Sequence, residues 1–336
     1  MSADVLANLI NWFTRAVIFG TVILYGALGE LLTEKSGNMN LGTPGTMCIG
    51  GAFGFAGAYL YEVHTEDPSA AVSIFIGLVV GFFTAALAGL LFSFLTTTLR
   101  ANQNVTGLAL TTFGCGLAKF VGTYIIPEGT TTVKAKFANE VFSNRLPASQ
   151  TTGVFGRLFL DYGFMMYLAL IIAIVLYLFL TRTRKGLNLR AVGESPATAD
   201  AAGINVGRYK YLATVIGSGI AGLGGVYYVL DYNYGGWSTM AANAISALGW
   251  LSLALVIFAI WKPLNAIWGS YLFGIFYWLF NFIPVFGVKL NSAQSSLVEA
   301  VPFLVTILVL ILISVRKSRD NQGPASLGLS YFREDR

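Results

Sequence analysis

Two polar clusters and one charged loop interrupt otherwise apolar runs in this chain, and they set the chemistry open to it. The first cluster is Ser36-Gly37-Asn38-Met39-Asn40-Leu41-Gly42-Thr43-Pro44-Gly45. Its carboxamides, Asn38 and Asn40, each offer donors and an acceptor, while Gly42 and Gly45 allow backbone to approach a ligand closely. The second is Asn102-Gln103-Asn104 with Thr106, whose amides can bond a solute's hydroxyls or ring edge, or equally cap a helix and bond its neighbours. The third is the basic stretch 182–207, with Arg182, Arg184, Lys185 and Arg190. Trp250, mid-run beside Gly249, presents a face on which a planar ring can stack.

The usual catalytic sets are missing from the sequence. There is no G-x-x-x-x-G-K-[ST], so this chain carries no Walker A phosphate loop, and there is no H-E-x-x-H. The single histidine, His64, sits with Glu62, Glu66 and Asp67 and reads as a solvated loop residue. Cys48 and Cys115 lie alone in separate apolar segments, without a C-x-x-C, and read as packed thiols.

The elements that must hold these groups are membrane helices. Of 336 residues, 55% are hydrophobic and 11% charged, where a soluble domain carries about 25% charged residues. The net charge of +5 does not point to nucleic acid, because the basic residues fall between apolar spans. No basic n-region with a short apolar core and small-residue cleavage site marks a signal peptide. Continuous apolar runs at 9–30, 41–61, 70–95, 102–126, 162–181, 209–230, 243–260, 263–284 and 298–315 match the roughly 20 residues a crossing needs. They lack the period-two alternation of barrel strands. The fold class expected is therefore an all-α integral membrane protein, a polytopic bundle of about 8–10 transmembrane helices with a broken or re-entrant segment near 36–46.

Loop charges orient such a bundle. Arg100, the 182–210 loop, Lys262 and the run Arg316, Lys317, Arg319 alternate with loops poor in Lys and Arg. The long 127–160 segment is the exception, and long loops follow this rule poorly. The basic loops thus share the cytoplasmic side, with 127–160 as an extracellular loop and 316–336 as a cytoplasmic tail. The segment 36–46 reads as too polar and broken for a tight turn, and we take it to dip into the membrane and return, which puts the N-terminus inside. Nine complete spans would place it outside. Small residues recur at spacing four in Gly50/Gly54/Ala58, Gly77/Gly81/Ala85 and Gly217/Ala221/Gly225, marking stripes where helices pack closely.

Inside the basic loop, Ser195-Pro196 reads as an N-cap followed by proline at the first helical position, and Gly203 ends the short helix that follows. A helix of about seven residues is about 10 Å long, too short to span and marginal alone, so it is expected to dock on something. The whole stretch from Arg182-Thr183-Arg184-Lys185-Gly186 through Arg190-Ala191-Val192-Gly193-Glu194-Ser195-Pro196 to Ala199-Asp200-Ala201-Ala202-Gly203 resembles the coupling loop of bacterial ABC importer permeases of the ribose, branched-chain amino acid and nucleoside group. Gly29-Glu30 through Gly45-Thr46-Met47, Leu99 through Leu110, and Leu248 through Leu264 resemble the same family, nearest its nucleoside branch, so most of the chain is covered. Thr43 and Pro44 depart from that branch.

The resemblance implies a single permease domain, 1–336, with coupling loop 182–207, that imports a small polar solute, a nucleoside in the first instance, across the bacterial plasma membrane by alternating access. It implies that Arg190, Gly193, Glu194, Ser195, Pro196 and Ala199 meet an ATP-binding ABC subunit, which would hold the ATP and magnesium; no cofactor is expected on this chain. A second permease, identical or homologous, and an extracytoplasmic substrate-binding lipoprotein complete the expected partners, with membrane lipids around them. Asn38, Asn40, Gly42, Gly45, Asn102, Gln103, Thr106 and Trp250 are the expected substrate pathway, because broken helices beside a cavity are how transporters bind. A ribose-like sugar permease is the near alternative. A secondary transporter or channel is the distant one, and the few acidic groups in the spans offer it little for ion coupling.

Overall fold

The computed structural model describes residues 3–143, 153–283, 291–301 and 322–332, with 304, 307 and 311 between. It is helical almost throughout. Helix α1 (Ala3–Glu34) is followed by a non-helical break, then α2 (Thr43–His64), α3 (Ala70–Ser93) and α4 (Gln103–Ile125). After a short strand β1 (Thr132–Lys134) and helices α5 (Lys136–Ser143) and α6 (Gly153–Phe159) come α7 (Phe164–Arg182), α8 (Arg184–Glu194) and α9 (Pro196–Ala201). Helices α10 (Val206–Tyr227), α11 (Ala241–Phe258), α12 (Pro263–Phe282) and α13 (Ser292–Glu299) complete the order, with strand β2 (Gly236–Ser238) before α11.

Among the described residues six helices are long and apolar enough to cross a membrane, namely α1, α3, α4, α7, α10 and α11. Helices α2 and α12, of 22 and 20 residues, match two further apolar runs. The last expected span, 298–315, falls mostly outside the described residues. Both α3 and α10 end in a π-turn, at Phe94–Thr98 and Tyr228–Tyr232.

Helix α1 is the centre of the bundle. Its most apolar window is buried on all sides, as a helix hydrophobic all round must be, and it packs against α10, α12, α11 and α7. Helix α10 lies between α1, α2 and α3, and glycines bring these backbones into contact. A Cβ on Gly50 would sit 2.5 Å from Gly222 Cα, one on Gly54 2.7 Å from Gly77 O, and one on Gly29 2.2 Å from Gly217 O. The small-residue stripes are thus the seams of the fold.

The two ends of the bundle differ. At one end β1 and β2 pair antiparallel, Val133 opposite Trp237, so the 127–160 segment is in part strand and helix rather than plain loop. Trp237 is fully buried there, stacked on Phe55 with its indole against Gly122. Glu62 accepts from Ala138 N and Ser73 Oγ, both at 2.7 Å. The other end collects the break, the turn after α3, the loop α8–α9, the α11–α12 turn and the tail 322–332.

The dipping reading of 36–46 does not survive this arrangement. Helix α1 runs once through the bundle, from Arg15 over the Tyr234 ring at the strand end to Lys35 O beside Gly193 at the other. The N-terminus therefore lies at the end opposite the basic loops, as complete spans require. In this conformation the break satisfies its polar groups within the protein, one of the two ways non-helical backbone is tolerated at membrane depth. The cysteines are also brought together: Cys48 Sγ on α2 and Cys115 Sγ on α4 are 3.3 Å apart.

Candidate substrate and coupling site

The break at residues 35–42 is held by side chains from four directions. Glu30, one turn before the end of α1 and 1% exposed, accepts from Asn40 N at 3.1 Å and from the Thr43 hydroxyl. Gln103 on α4 accepts from Met39 N at 2.7 Å, and Thr111 donates to Leu41 O at 2.7 Å. Thr214 on α10 accepts from the Asn38 amide at 3.1 Å. Asn40 closes its own turn by accepting from Gly42 N at 2.9 Å, an Asx arrangement that starts α2. Gly37, at φ +85°, makes the chain reversal after α1.

The expected pathway residues are therefore split by their surroundings. Asn38, Asn40 and Gln103 meet at the junction of α1, α2, α4 and α10. Gly42 and Gly45 face α4: a Cβ on Gly42 would be 2.7 Å from a Leu110 methyl and one on Gly45 2.4 Å from Leu110 O. In this conformation they leave room for a helix. Asn102 is the N-cap of α4, accepting from Val105 N at 3.1 Å, and Thr106 donates to Asn102 O, so both carry the capping alternative. Trp250 lies away from the junction with 42% of its surface exposed, while Gly249 packs on Pro44.

Glu34, one turn beyond Glu30, accepts a hydrogen bond from the Trp261 indole. Trp261 and Ile260 make the α11–α12 turn at φ 51° and 55°, a region that costs such side chains of order 1–3 kcal/mol each. The signal for this contact in sequence is weak, because 227 residues separate Glu34 from Trp261.

Next to the break lies the coupling loop. It contains two helices where the sequence reading found one. Helix α8 buries Gly186, Leu189, Val192 and Gly193, and a Cβ on Gly193 would sit 2.4 Å from Lys35 O. Lys35, just beyond α1, has its pKa lowered first by burial and then by Arg190, with Lys262 adding to the effect and Glu194 and Glu34 opposing it. Helix α9 follows as expected: Ser195 accepts from Thr198 N, and Pro196 takes the first position. Arg190, Glu194, Ala197, Thr198, Ala201 and Ala202 face outward. Ala199 faces the other way, 3% exposed, in a small cluster with Val192 and Val206. It seats the helix rather than offering a surface.

The C-terminal tail, which sequence reading left as a plain tail, binds both parts. Gly193 O accepts from Ser326 N at 3.0 Å and from the Ser326 hydroxyl. Gly37 O accepts from Gly328 N at 3.1 Å, Leu329 O from the Gln103 amide at 3.4 Å, and Asp200 from the Tyr331 hydroxyl at 2.8 Å.

The break bonded within the chain and the short surface helix beside it are parts of a chain that matches a known family over most of its length. The family described as "Branched-chain amino acid transport system / permease component" matches residues 8–310. The chain belongs to this family. It is an ABC transporter permease component, a multi-pass membrane protein that transports rather than catalyses. Such a permease works with an ATP-binding subunit and a substrate-binding protein. The chain is 31% identical to a putative glucose ABC transporter permease of Haloferax volcanii, over 98% of both chains. It is 28% identical to a nucleoside ABC transporter permease of Lactococcus lactis, over 94% of this chain and 95% of that one. A guanosine ABC transporter permease of Bacillus subtilis is 27% identical, over 88% and 89%. No solved structure matches the chain at a significant level.

Proposed function

We propose that this permease imports nucleosides, with its basic end in the cytoplasm and α9 docked on the ATP-binding subunit. The observation that carries the coupling half is the contact of Gly193 with Lys35 O: displacement of α8–α9 reaches the break with no intervening element. The orientation rests on Lys35, Arg100, Arg190, Arg208 and Lys262 gathering at the end that holds the coupling loop. Outward-facing Arg190, Glu194 and Thr198 supply the docking surface, with Ser195 and Pro196 fixing its start and Gly193 and Ala199 seating it.

Asn38, Asn40 and Gln103 are the groups we assign to the solute. Each is bonded inside the chain in this conformation, and opening of the junction exchanges those bonds for a solute's hydroxyls and ring edge. The nucleoside class rests on two relatives of that description. A hexose is the second reading, favoured by the relative at 31% identity; both solutes present the vicinal hydroxyls that amides bind. A second permease and a lipoprotein substrate receptor complete the assembly we propose.

The test is uptake in vesicles containing the chain, a second permease, the ATP-binding subunit and the receptor. ATP-dependent entry of a nucleoside that excess glucose does not inhibit supports the reading; the reverse selectivity replaces it with the sugar. Asn40→Leu keeps the bulk, and a buried partner left unpaired costs about 1–3 kcal/mol, roughly five- to hundredfold at the transport step. A solute role requires that the ranking of nucleosides lacking single hydroxyls changes in this variant. Equal loss for every substrate makes Asn40 a structural residue.

A further inference from the structure

A cavity of about 170 Å³ lies at the basic end, apart from the break, lined by Thr96, Thr97, Arg100, Val206, Gly207, Lys210 and Tyr331. A water's share of liquid volume is about 30 Å³, so the space admits an oxyanion with one or two waters. Two independent features make its walls electropositive. Lys210 is 3% exposed and has no hydrogen-bond or ion-pair partner among the described residues. It sits in the second turn of α10, and a helical side chain lies over the turn N-terminal to its own Cα, here the turn of Val206 and Gly207. That turn is the start of a 22-residue helix. Asn205 caps it by accepting from Arg208 N, leaving the N–H groups of Val206 and Gly207, both lining residues, without a partner inside the helix.

Across from α10 stands the π-turn Phe94–Thr98. Thr97 Oγ1 is buried there without a hydrogen-bond partner, whereas the Thr96 hydroxyl is committed to Phe92 O. Arg100, in the left-handed region at φ 59°, extends its guanidinium over the Phe332 ring, 4.6 Å from its centroid. Tyr331 closes the cavity from the tail, its hydroxyl held by Asp200. No Asp or Glu is among the lining residues. A buried ammonium is expensive unless it is paired, and Lys210 shares this cavity with Thr97, Arg100 and the first turn of α10, with no carboxylate in the lining.

We propose that this cavity is a phosphoryl-binding site, taking the oxyanion of an anionic lipid headgroup or of free phosphate. The non-bridging oxygens, two in a phosphodiester headgroup and more in free phosphate, would meet the Lys210 ammonium and the first-turn N–H groups of α10, with Thr97 and Arg100 on the facing wall. Exposed Phe94, Leu99 and Leu212 flank the lining residues in sequence, placing an apolar surface next to the site, where acyl chains would lie. The site is separate from the break, and its occupancy also bears on Tyr331 and thus on the tail that straps the coupling loop.

The experiment uses the full chain purified in neutral detergent and follows thermal unfolding and native mass spectra during titration. One arm adds inorganic phosphate, another short-chain phosphatidylglycerol, and a third short-chain phosphatidylcholine. Saturable stabilisation by phosphate and phosphatidylglycerol identifies a phosphoryl site open to both; saturation with phosphatidylglycerol alone identifies a headgroup site. Either is expected to weaken about ten- to hundredfold in Lys210→Met, from loss of a charge-assisted bond, and about two- to tenfold in Thr97→Val. Lys210→Arg is expected to retain binding, which guards against a merely misfolded methionine variant. The proposal is overturned if no arm saturates, if phosphatidylcholine acts as strongly as phosphatidylglycerol, or if Lys210→Met and Thr97→Val titrate like the parent.

Discussion

The strand end and the basic end of this bundle are held by opposite means. At the strand end a two-stranded ladder and a fully buried Trp237 stacked on Phe55 lock the surface loops to α2 and α4. At the basic end a small apolar cluster seats α9, and much of the rest is polar bonding between segments distant in sequence, such as Ser326 to Gly193 and Trp261 to Glu34. Apolar packing is lost gradually as parts separate, whereas a few directional bonds can be exchanged as a set. The difference yields an expectation for where this transporter moves: the strand end as a fixed frame and the basic end as the part that changes partners.

Trp237→Ala tests the frame and carries the largest expected effect. Truncating so large a buried side chain costs about 3–5 kcal/mol, read as a lower unfolding temperature, while ATP-coupled uptake per folded molecule stays near the parent's. Uncoupled ATP hydrolysis in this variant would break the comparison, because the frame would then be part of the drive.

Glu30→Gln addresses the other end. The carboxylate accepts from both Asn40 N and the Thr43 hydroxyl, and a carboxamide provides one acceptor oxygen in place of two. About 1–3 kcal/mol is lost if a buried donor is orphaned. Here uptake is expected to fall more than stability does, with ATP hydrolysed without transport. A variant that only unfolds more readily would make Glu30 another piece of frame.

Ser326→Ala is the finest probe. It removes the hydroxyl bond to Gly193 O and leaves the backbone bond from Ser326 N in place, so about 0.5–1.5 kcal/mol is at stake. The measurement is hydrogen exchange in 322–332 and in α8–α9. Faster exchange in both segments together sharpens the comparison; change in the tail alone shows that the strap does not hold the loop.

What sequence made legible follows the same division. Apolar runs at 41–61, 70–95, 102–126 and 162–181 correspond to α2, α3, α4 and α7 within a few residues, because lipid imposes a length that a run of side chains records. Ser195-Pro196 marked the start of α9 for an equally local reason. Helix α8 is not legible in sequence, since Arg184, Lys185, Gly186 and Gly193 lack an apolar period, and the glycines serve close contacts with Phe179 O and Lys35 O. The polar break at 36–45 is legible in sequence, but its bonding partners Glu30, Gln103, Thr111 and Thr214 are not, because the last three lie far along the chain. Cys48 with Cys115, the Lys210 cavity and the tail all depend on positions brought together only by the fold.

The enclosure of α1 over residues 16–34 has a consequence for how the protein is made. This helix is synthesised well before most of the partners that enclose it, α10, α11 and α12. Glu34 waits 227 residues for the Trp261 indole, which at about 5–20 residues per second is roughly 11–45 s of elongation. Its window's mean hydropathy of 1.8 lets it enter lipid alone, but Glu30 and Glu34 must remain at the water-facing edge, or with the insertion machinery, until residues 206–282 arrive. Assembly of this bundle is thus a late closing of the chain's second half around its first helix, and the quality of that closure is decided at the carboxylates that wait longest.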